Sequence, residues 1–316
     1  PIPIAIIAIS GIIPLTLKSP PIHRLIPYQL RHKPLSSDTQ KATASDTDNS
    51  DSAPAALRRI AIGVEYNGAA FHGWQRQTKP PVATIQMAVE DALCKVADQK
   101  ITLICAGRTD AGVHATGQVA HFEVSNPREL KAWTMGVNSL LPSAIRVVWA
   151  KEVDTDFHAR FSASARRYQY WIHNAAVRPG IFSSLMTHCS KPLNESLMHQ
   201  AAQALVGEQD FTSFRAIACE SKTAMRNVHA VSVKRHGERI CIEIEANAFL
   251  LHMVRNIAGT LMAVGTEKQP VNWVKTLLLA KNRALAAATA KPDGLYLMAV
   301  TYPAKYDLPE AERSLF

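Results

Sequence analysis

From residue 57 onward, apolar and polar positions follow two periods that alternate along the chain. Ile60–Tyr66 alternates with period two and predicts a half-buried strand. A glycine-punctuated loop follows, Asn67–Gln77 (NGAAFHGWQRQ). The period then changes: Ile85, Val89, Ala92 and Val96 share one face of a helix predicted over Thr84–Val96, with Thr84 as its N-cap. Two short apolar runs of strand type come next, Ile101–Cys105 and Gln118–Val124, then a helix near Arg128–Leu140 and a strand over Ile145–Val153.

A second series begins after Asp154–Arg160. Arg166–His173 reads as a strand with Tyr168, Tyr170 and Ile172 on one face, and Asn194–Val206 as an amphipathic helix. Val228–Lys234 and Arg239–Ala246 pair as a hairpin across His236-Gly237. Two apolar helices, Phe249–Val264 and Val271–Leu279, precede a closing strand, Leu295–Tyr302. The β-α-β-β-α-β order predicts an α+β protein of two ferredoxin-like, split βαβ units with mostly antiparallel sheets. The expected division is an extension over 1–55, domains over 56–155 and 156–305, and a tail over 306–316.

The first 55 residues differ in kind. Residues 1–35 mix Ile and Pro, while 36–54 are almost all Ser, Thr, Asp, Asn, Gln and Ala, a composition too polar to build a core and expected to be a disordered linker. Ile2–Leu17 lacks a preceding basic region, is broken by prolines and is too short to span a bilayer, so a disordered extension is expected there rather than a targeting segment. Composition otherwise describes a globular chain: 316 residues, 47% hydrophobic and 19% charged. Its net charge of +9 favours a polyanionic partner, nucleic acid first. This segment holds five Lys/Arg against four Asp, so nearly all the excess belongs to the rest. The five cysteines are scattered and form no CxxC, which suits free thiols in a reducing, cytoplasmic setting. The histidines form no HExxH or HxxxH pair, and no metal or other cofactor is expected.

Candidate chemistry concentrates in Cys105–Phe122, CAGRTDAGVHATGQVAHF. Gly107, Gly112 and Gly117 between two strands describe a tight loop lying against something, with Arg108 and Asp110 near its tip. Such a loop either caps its own backbone with the aspartate or presents the acid to a ligand. Arg255 and Asn256 interrupt an apolar helix, and His252 precedes Asn256 by one turn. The Arg255 head either reaches water from the helix edge or points into a cleft toward a carboxylate. Tyr168, beside Arg166 and Arg167, is either a sheet-face aromatic or a ring for a base flanked by charges for phosphate. Phe71, His72, Trp74 and Arg76 make a similar mixture.

Six segments together support a family resemblance: YNGAAFHGWQRQ, CAGRTDAGVHATGQVAHF, DFHARFSASARRYQYWI, GEQDFTSFR, ANAFLLHMVRNIAGTLMAVG and PDGLYLMAVTYP. From about Ile60 to Tyr302 the chain resembles the tRNA pseudouridine synthase I (TruA) family. The resemblance implies two ferredoxin-like domains facing each other across a basic cleft, a homodimer, and no metal or cofactor. It implies isomerisation of uridine to pseudouridine in the anticodon arm of tRNA, 3′ of the anticodon at positions 38, 39 and 40. It also implies that Asp110 is the catalytic aspartate, Arg108 its motif arginine, Tyr168 the active-site tyrosine, Arg255 the aspartate's partner and Leu295 the residue packed by the target base. The N-terminal extension lies outside it.

The implied reaction needs neither redox chemistry nor an energy source. A carboxylate can attack ribose C1′, add to C6 of the base, or assist proton loss at C2′. Each route requires an ionised acid in a dry pocket, where a paired guanidinium offsets desolvation. Tyr168 could stack on the uracil or accept a proton. His72, Arg76, Arg108, Arg166 and Arg167 are candidates for holding the distorted arm once the base is flipped, with salt-sensitive binding. A non-catalytic tRNA- or RNA-binding protein of the same fold has no use for GRTDAG, and no RNP1-type aromatic run is present. A phosphotransfer enzyme would want a DxD acid or a GxxxxGK[ST] loop, and neither occurs near the motif.

Overall fold

A computed structural model describes residues 57–126, 128–309 and 315–316. The predicted extension over 1–55 and much of the predicted tail lie outside the described residues. The described residues form ten strands and four α-helices: β1 (Arg58–Tyr66), α1 (Ile85–Ala97), β2 (Ile104–Cys105), β3 (His114–Val124), β4 (Ile145–Val153), β5 (Ala165–Asn174), β6 (Thr187–Cys189), α2 (Glu195–Ala202), β7 (Gly207–Asp210), β8 (Met225–His236), β9 (Arg239–Ala246), α3 (Met253–Gly265), α4 (Trp273–Ala280) and β10 (Leu295–Thr301). The fold is α+β, and the strands form one sheet in the order β4-β1-β3-β10-β5-β9-β8-β7, with β2 on β3 and β6 on β5. All pairs are antiparallel except β3 with β10 and β5 with β6.

Side-chain alternation divides the sheet into two faces. Ile60, Ile62 and Val64 of β1 and Ala120 and Phe122 of β3 pack with Ile85, Val89 and Leu93 of α1. Tyr168, Tyr170 and Ile172 of β5 continue the same core under Ile257, Leu261 and Val264 of α3, the face the sequence pattern assigned to them. Each such Ile, Leu or Val contributes about 1.5–3 kcal/mol on burial. The opposite face carries two smaller clusters, one around Ala61, Val119 and Phe157, the other around Trp171, Tyr296 and Met298. At α1 the Thr84 side chain accepts from the Met87 N–H as the cap pattern predicts, and at α2 the Asn194 side chain accepts from the Leu197 N–H.

The last strand joins the two series. β10 pairs with β5 from Leu295↔Tyr170 to Thr301↔Ala165, but meets β3 only at Tyr296↔His114 and Leu297↔Ala115. Beyond that short parallel contact Gly117 brings the backbones together, since a β-carbon there would sit 2.0 Å from the Met298 carbonyl.

Several boundaries differ from the sequence pattern. β2 is two residues rather than five, because it pairs only at Ile104↔His121 and Cys105↔Ala120. The helix expected near Arg128–Leu140 contains a five-residue π-type segment, Ala132–Gly136, anchored by Trp133 against Phe122. α3 starts at Met253 rather than Phe249, because His252 takes a left-handed φ of 62° that ends helical continuity. β6 and β7 have too few apolar residues to register as strands in the pattern.

His121 links β3 to the segment after β4: its Nδ1 accepts from the Ala159 N–H at 3.1 Å, and its ring meets Phe157 and His158. Burial, with the charges of His158 and Arg59, lowers its pKa to about 4. The unfolded imidazole titrates near 6.5, so between pH 6.5 and 4 the unfolded chain binds a proton that the fold excludes. Stability therefore falls as pH drops through that window, by up to about 3 kcal/mol from this group. The expected outcome is a shallower loss of unfolding free energy from pH 6.5 to 4 in His121→Asn than in the wild type, measured by urea titration at each pH.

Candidate active site

The glycine-rich loop between β2 and β3 is clamped on several sides. The Ala106 N–H donates to the Val119 carbonyl (2.8 Å), and the Gln118 amide donates to the Gly107 carbonyl (2.7 Å). Thr109 Oγ1 lies 2.8 Å from the Tyr66 hydroxyl, and the Thr109 carbonyl accepts from the Trp74 N–H (3.0 Å). The first loop packs this closely because Gly73 has φ +87°, and a β-carbon there would lie 2.7 Å from the Thr109 carbonyl. The Asp110 carbonyl accepts from the Val113 N–H (3.2 Å), leaving the side chain free to project.

Asp110 projects toward α3. Its Oδ2 accepts from Arg255 Nη1 at 3.0 Å and lies 3.3 Å from His252 Nε2. The Asp110 and Arg255 side chains are only 24% and 14% exposed, so solvent screens this pair far less than a surface one. Oδ1 accepts no hydrogen bond among the described residues. Arg255 is itself held, its Nε donating to the Ala290 carbonyl at 2.8 Å. The Ala290 N–H in turn donates to the Arg255 carbonyl (3.2 Å). Fully buried Asn256 secures that neighbouring strap: its amide donates to Phe214 O (2.8 Å), and its Oδ1 accepts from Arg283 Nη2 (3.0 Å) and Thr289 Oγ1 (2.7 Å).

Tyr168 stands beside the loop, its hydroxyl 3.9 Å from where a β-carbon of Gly107 would be, and its ring edge-to-face with Phe249 at 5.0 Å. Burial, with a contribution from the Asp110 charge, pushes its phenol well above the usual value. It is thus a neutral phenol at physiological pH. Leu295 and Leu297 pair across the strands with Tyr170 and Tyr168, so they share the face of those two rings.

The remaining sequence candidates separate. Arg108 is exposed and has no hydrogen bond or ion pair among the described residues. His72 is exposed on the first loop, its N–H bonded to the Ala83 carbonyl. Arg76 is taken up by α1, bonded to Glu90 (2.8 Å) and Asp91 (2.6 Å). Arg166 straps backbone together, donating to the carbonyls of Ala106, Arg160, Ala163 and Asn247. Arg167, one residue from Tyr168, falls on the opposite face by alternation and lines a cleft of about 420 Å³ with Glu245 and Tyr302. The structure therefore brings Asp110, Arg255 and Tyr168 together and sends Arg167 away. His252, which the sequence marked only by its place one turn before Asn256, was not among the site candidates, and the structure adds it; its i, i+3 spacing from Arg255 was the available signal. Among the described residues no group of three or more His, Cys, Asp or Glu is placed to hold a metal ion.

The site thus sets a carboxylate pinned through one oxygen beside a neutral phenol, with an exposed arginine at the rim that has no side-chain partner among the described residues. A family model described as tRNA pseudouridine synthase matches residues 62–162 and 201–303. The tRNA pseudouridine synthase A of Shigella boydii serotype 4 (strain Sb227) is 55% identical over 261 residues, 83% of this chain and 96% of that protein. The same figures hold for tRNA pseudouridine synthase A of Escherichia coli O1:K1 / APEC. Among solved structures, an archaeal box H/ACA sRNP complex aligns at 8% identity with a TM-score of 0.34, covering 76% of this chain and 47% of that one, a likeness too slight to carry weight. The chain belongs to the tRNA pseudouridine synthase family, isomerases that convert uridine in tRNA to pseudouridine.

Asn256→Ala removes three hydrogen bonds and leaves buried partners unsatisfied, which costs about 2–4 kcal/mol. The expected outcome is a lower midpoint in chemical unfolding together with reduced activity, because the strap behind Arg255 loosens. Unchanged stability would show that the network is dispensable.

Proposed function

We propose that this chain isomerises uridine to pseudouridine in the anticodon arm of tRNA, with Asp110 as the reacting carboxylate. The observation that carries the reading is the asymmetric grip on Asp110: Arg255 and His252 both address Oδ2, which leaves Oδ1 as the oxygen presented to substrate. The Arg255 guanidinium sets a fixed positive charge against the carboxylate, and an ionised acid is the form required for attack at C1′, addition to C6, or proton transfer from C2′. Held in one orientation, the acid pays little of the entropy of alignment at the moment of reaction.

Tyr168 enters as a neutral ring suited to stacking on the uracil and to donating a hydrogen bond, since burial keeps its proton on. Arg108, without a side-chain partner among the described residues, is a cation at the loop tip for an RNA phosphate or for the space a flipped base leaves. Leu295, opening β10 on the same face, is the apolar wall beside the base. Segments 56–155 and 156–305 supply the two walls of the site, with a homodimer and a cytoplasmic location belonging to the same reading.

Asp110→Asn keeps the shape and removes the charge. It is expected to lower pseudouridine formation on an unmodified tRNA transcript by at least about a thousand-fold while tRNA affinity in a filter-binding titration stays within about threefold. Substantial product from this variant would remove Asp110 from the chemistry. For His252, which only orients the carboxylate, His252→Leu is expected to lower kcat by about ten- to a hundred-fold with KM unchanged. His252→Gln, with an amide N–H at similar reach, is expected to recover most of that loss. Equal kcat in the Leu variant and the wild type would make His252 a bystander.

A further inference from the structure

The segment joining β4 to β5, from Asp154 to Ser164, holds a large apolar ring in water. Phe161 is 76% exposed, yet it is not a loose side chain. Its ring stacks on His158, with centroids 4.3 Å apart and planes 28° from parallel. His158 Nδ1 accepts from both the Arg160 and the Phe161 N–H groups (3.2 Å each). The turn is closed by reciprocal bonds, His158 N–H to Ser162 Oγ (3.0 Å) and Ser162 N–H to the His158 carbonyl (2.9 Å). The Arg160 guanidinium lies 5.6 Å from the Phe161 ring centroid. Unlike a singly exposed side chain on a loose loop, this ring is held outside by the bonds of its own turn.

The position of this ring relates it to the reaction site. Arg166 Nη2 bonds at once to the Arg160 carbonyl (2.7 Å) and the Ala106 carbonyl (3.1 Å), so one guanidinium nitrogen ties the turn carrying Phe161 to the start of the loop that carries Asp110. Arg108 and Arg160 are both close enough to act electrostatically on the Cys105 thiol beneath that loop. The ring thus sits in a rim with two exposed arginines, Arg108 and Arg160, adjoining the loop of Asp110. A flat apolar surface backed by an imidazole and flanked by guanidinium groups matches a nucleobase and its phosphates, because every base has a π-face and every linkage a negative charge.

We propose that Phe161 is a stacking platform for a nucleobase of the tRNA next to the uridine being isomerised. The inference rests on the tRNA-modifying reading above and assigns a binding subsite outside the Asp110–Arg255–Tyr168 centre. Taking a uridine out of the arm disrupts its neighbours' stacking, and a ring fixed at the rim replaces part of what they lose. His158 and Arg160 are positioning residues in this arrangement, holding the ring and its charge.

The test uses the full chain, an unmodified tRNA transcript, and an anticodon-arm hairpin with 2-aminopurine beside the target uridine. Phe161→Leu keeps the apolar volume and loses the π-face. It is expected to raise KM for tRNA by about five- to fifty-fold with kcat little changed. Phe161→Trp is expected to restore KM. Thermal unfolding of the Leu variant should match the wild type, since the ring makes few buried contacts, and this separates lost stacking from lost folding. Wild-type protein should quench 2-aminopurine fluorescence on binding, and the Leu variant should not. Wild-type KM and full quenching in Phe161→Leu would overturn the platform and leave the ring to a different partner. Absence of pseudouridine from the wild type, with quenching intact, would strike the functional reading and not this one.

Discussion

The contact on which the site depends is the bond from Arg255 to the Asp110 carboxylate, which joins residues 145 positions apart. A carboxylate withdrawn from water is costly unless a fixed positive charge compensates it, and a lone arginine in an apolar helix has the converse problem. Each group resolves the other's cost, provided the two arrive at one place. Much of the surrounding architecture secures that arrival: the Ala290 carbonyl fixes the arginine from behind, and the Asn256 network fixes the strap that bears Ala290.

The acid is delivered by close backbone approach rather than by side-chain reach. Gly73 lets the first loop lie on the Thr109 carbonyl, and Gly112, at φ +78°, passes under Pro292, whose ring would be 2.9 Å from a β-carbon. Buried polar groups complete the cradle, with the Tyr66 hydroxyl on Thr109 and the Gln118 amide on Gly107. A loop so constrained holds one conformation at little entropic cost on binding, and this is why a residue on a loop can have the precision of one on a strand. The basic residues around it divide by task. Arg76 and Arg166 are structural ties, whereas Arg108 and Arg160 remain at the surface where a polyanion can reach them.

Much of this was legible beforehand because it is local. Helical spacing located α1 with its Thr84 cap, and period-two alternation located β1, β4, β5 and β9 and the shared face of Tyr168, Tyr170 and Ile172. The GRTDAG run with its glycines marked the loop. Less legible were elements whose stability comes from partners: β6 and β7 are strands through their neighbours, and α3 begins late because His252 turns left-handed. The adjacency of Arg166, Arg167 and Tyr168 in sequence suggested one functional patch. In the sheet the three divide into a backbone strap, a residue of the opposite face and a ring beside Asp110.

The sequence by itself determined the class of fold and the family, and singled out the candidate site residues, because periodicity, glycine placement and ordered motifs are properties of the chain alone. Only the tertiary structure decided which charges are taken up, that both His252 and Arg255 grip one oxygen of Asp110, and that Phe161 is held in water on a turn tied to the Asp110 loop. Those outcomes depend on distances between residues far apart in the chain. Such distances come from how the sheet and helices close around a common core, and no local pattern encodes them.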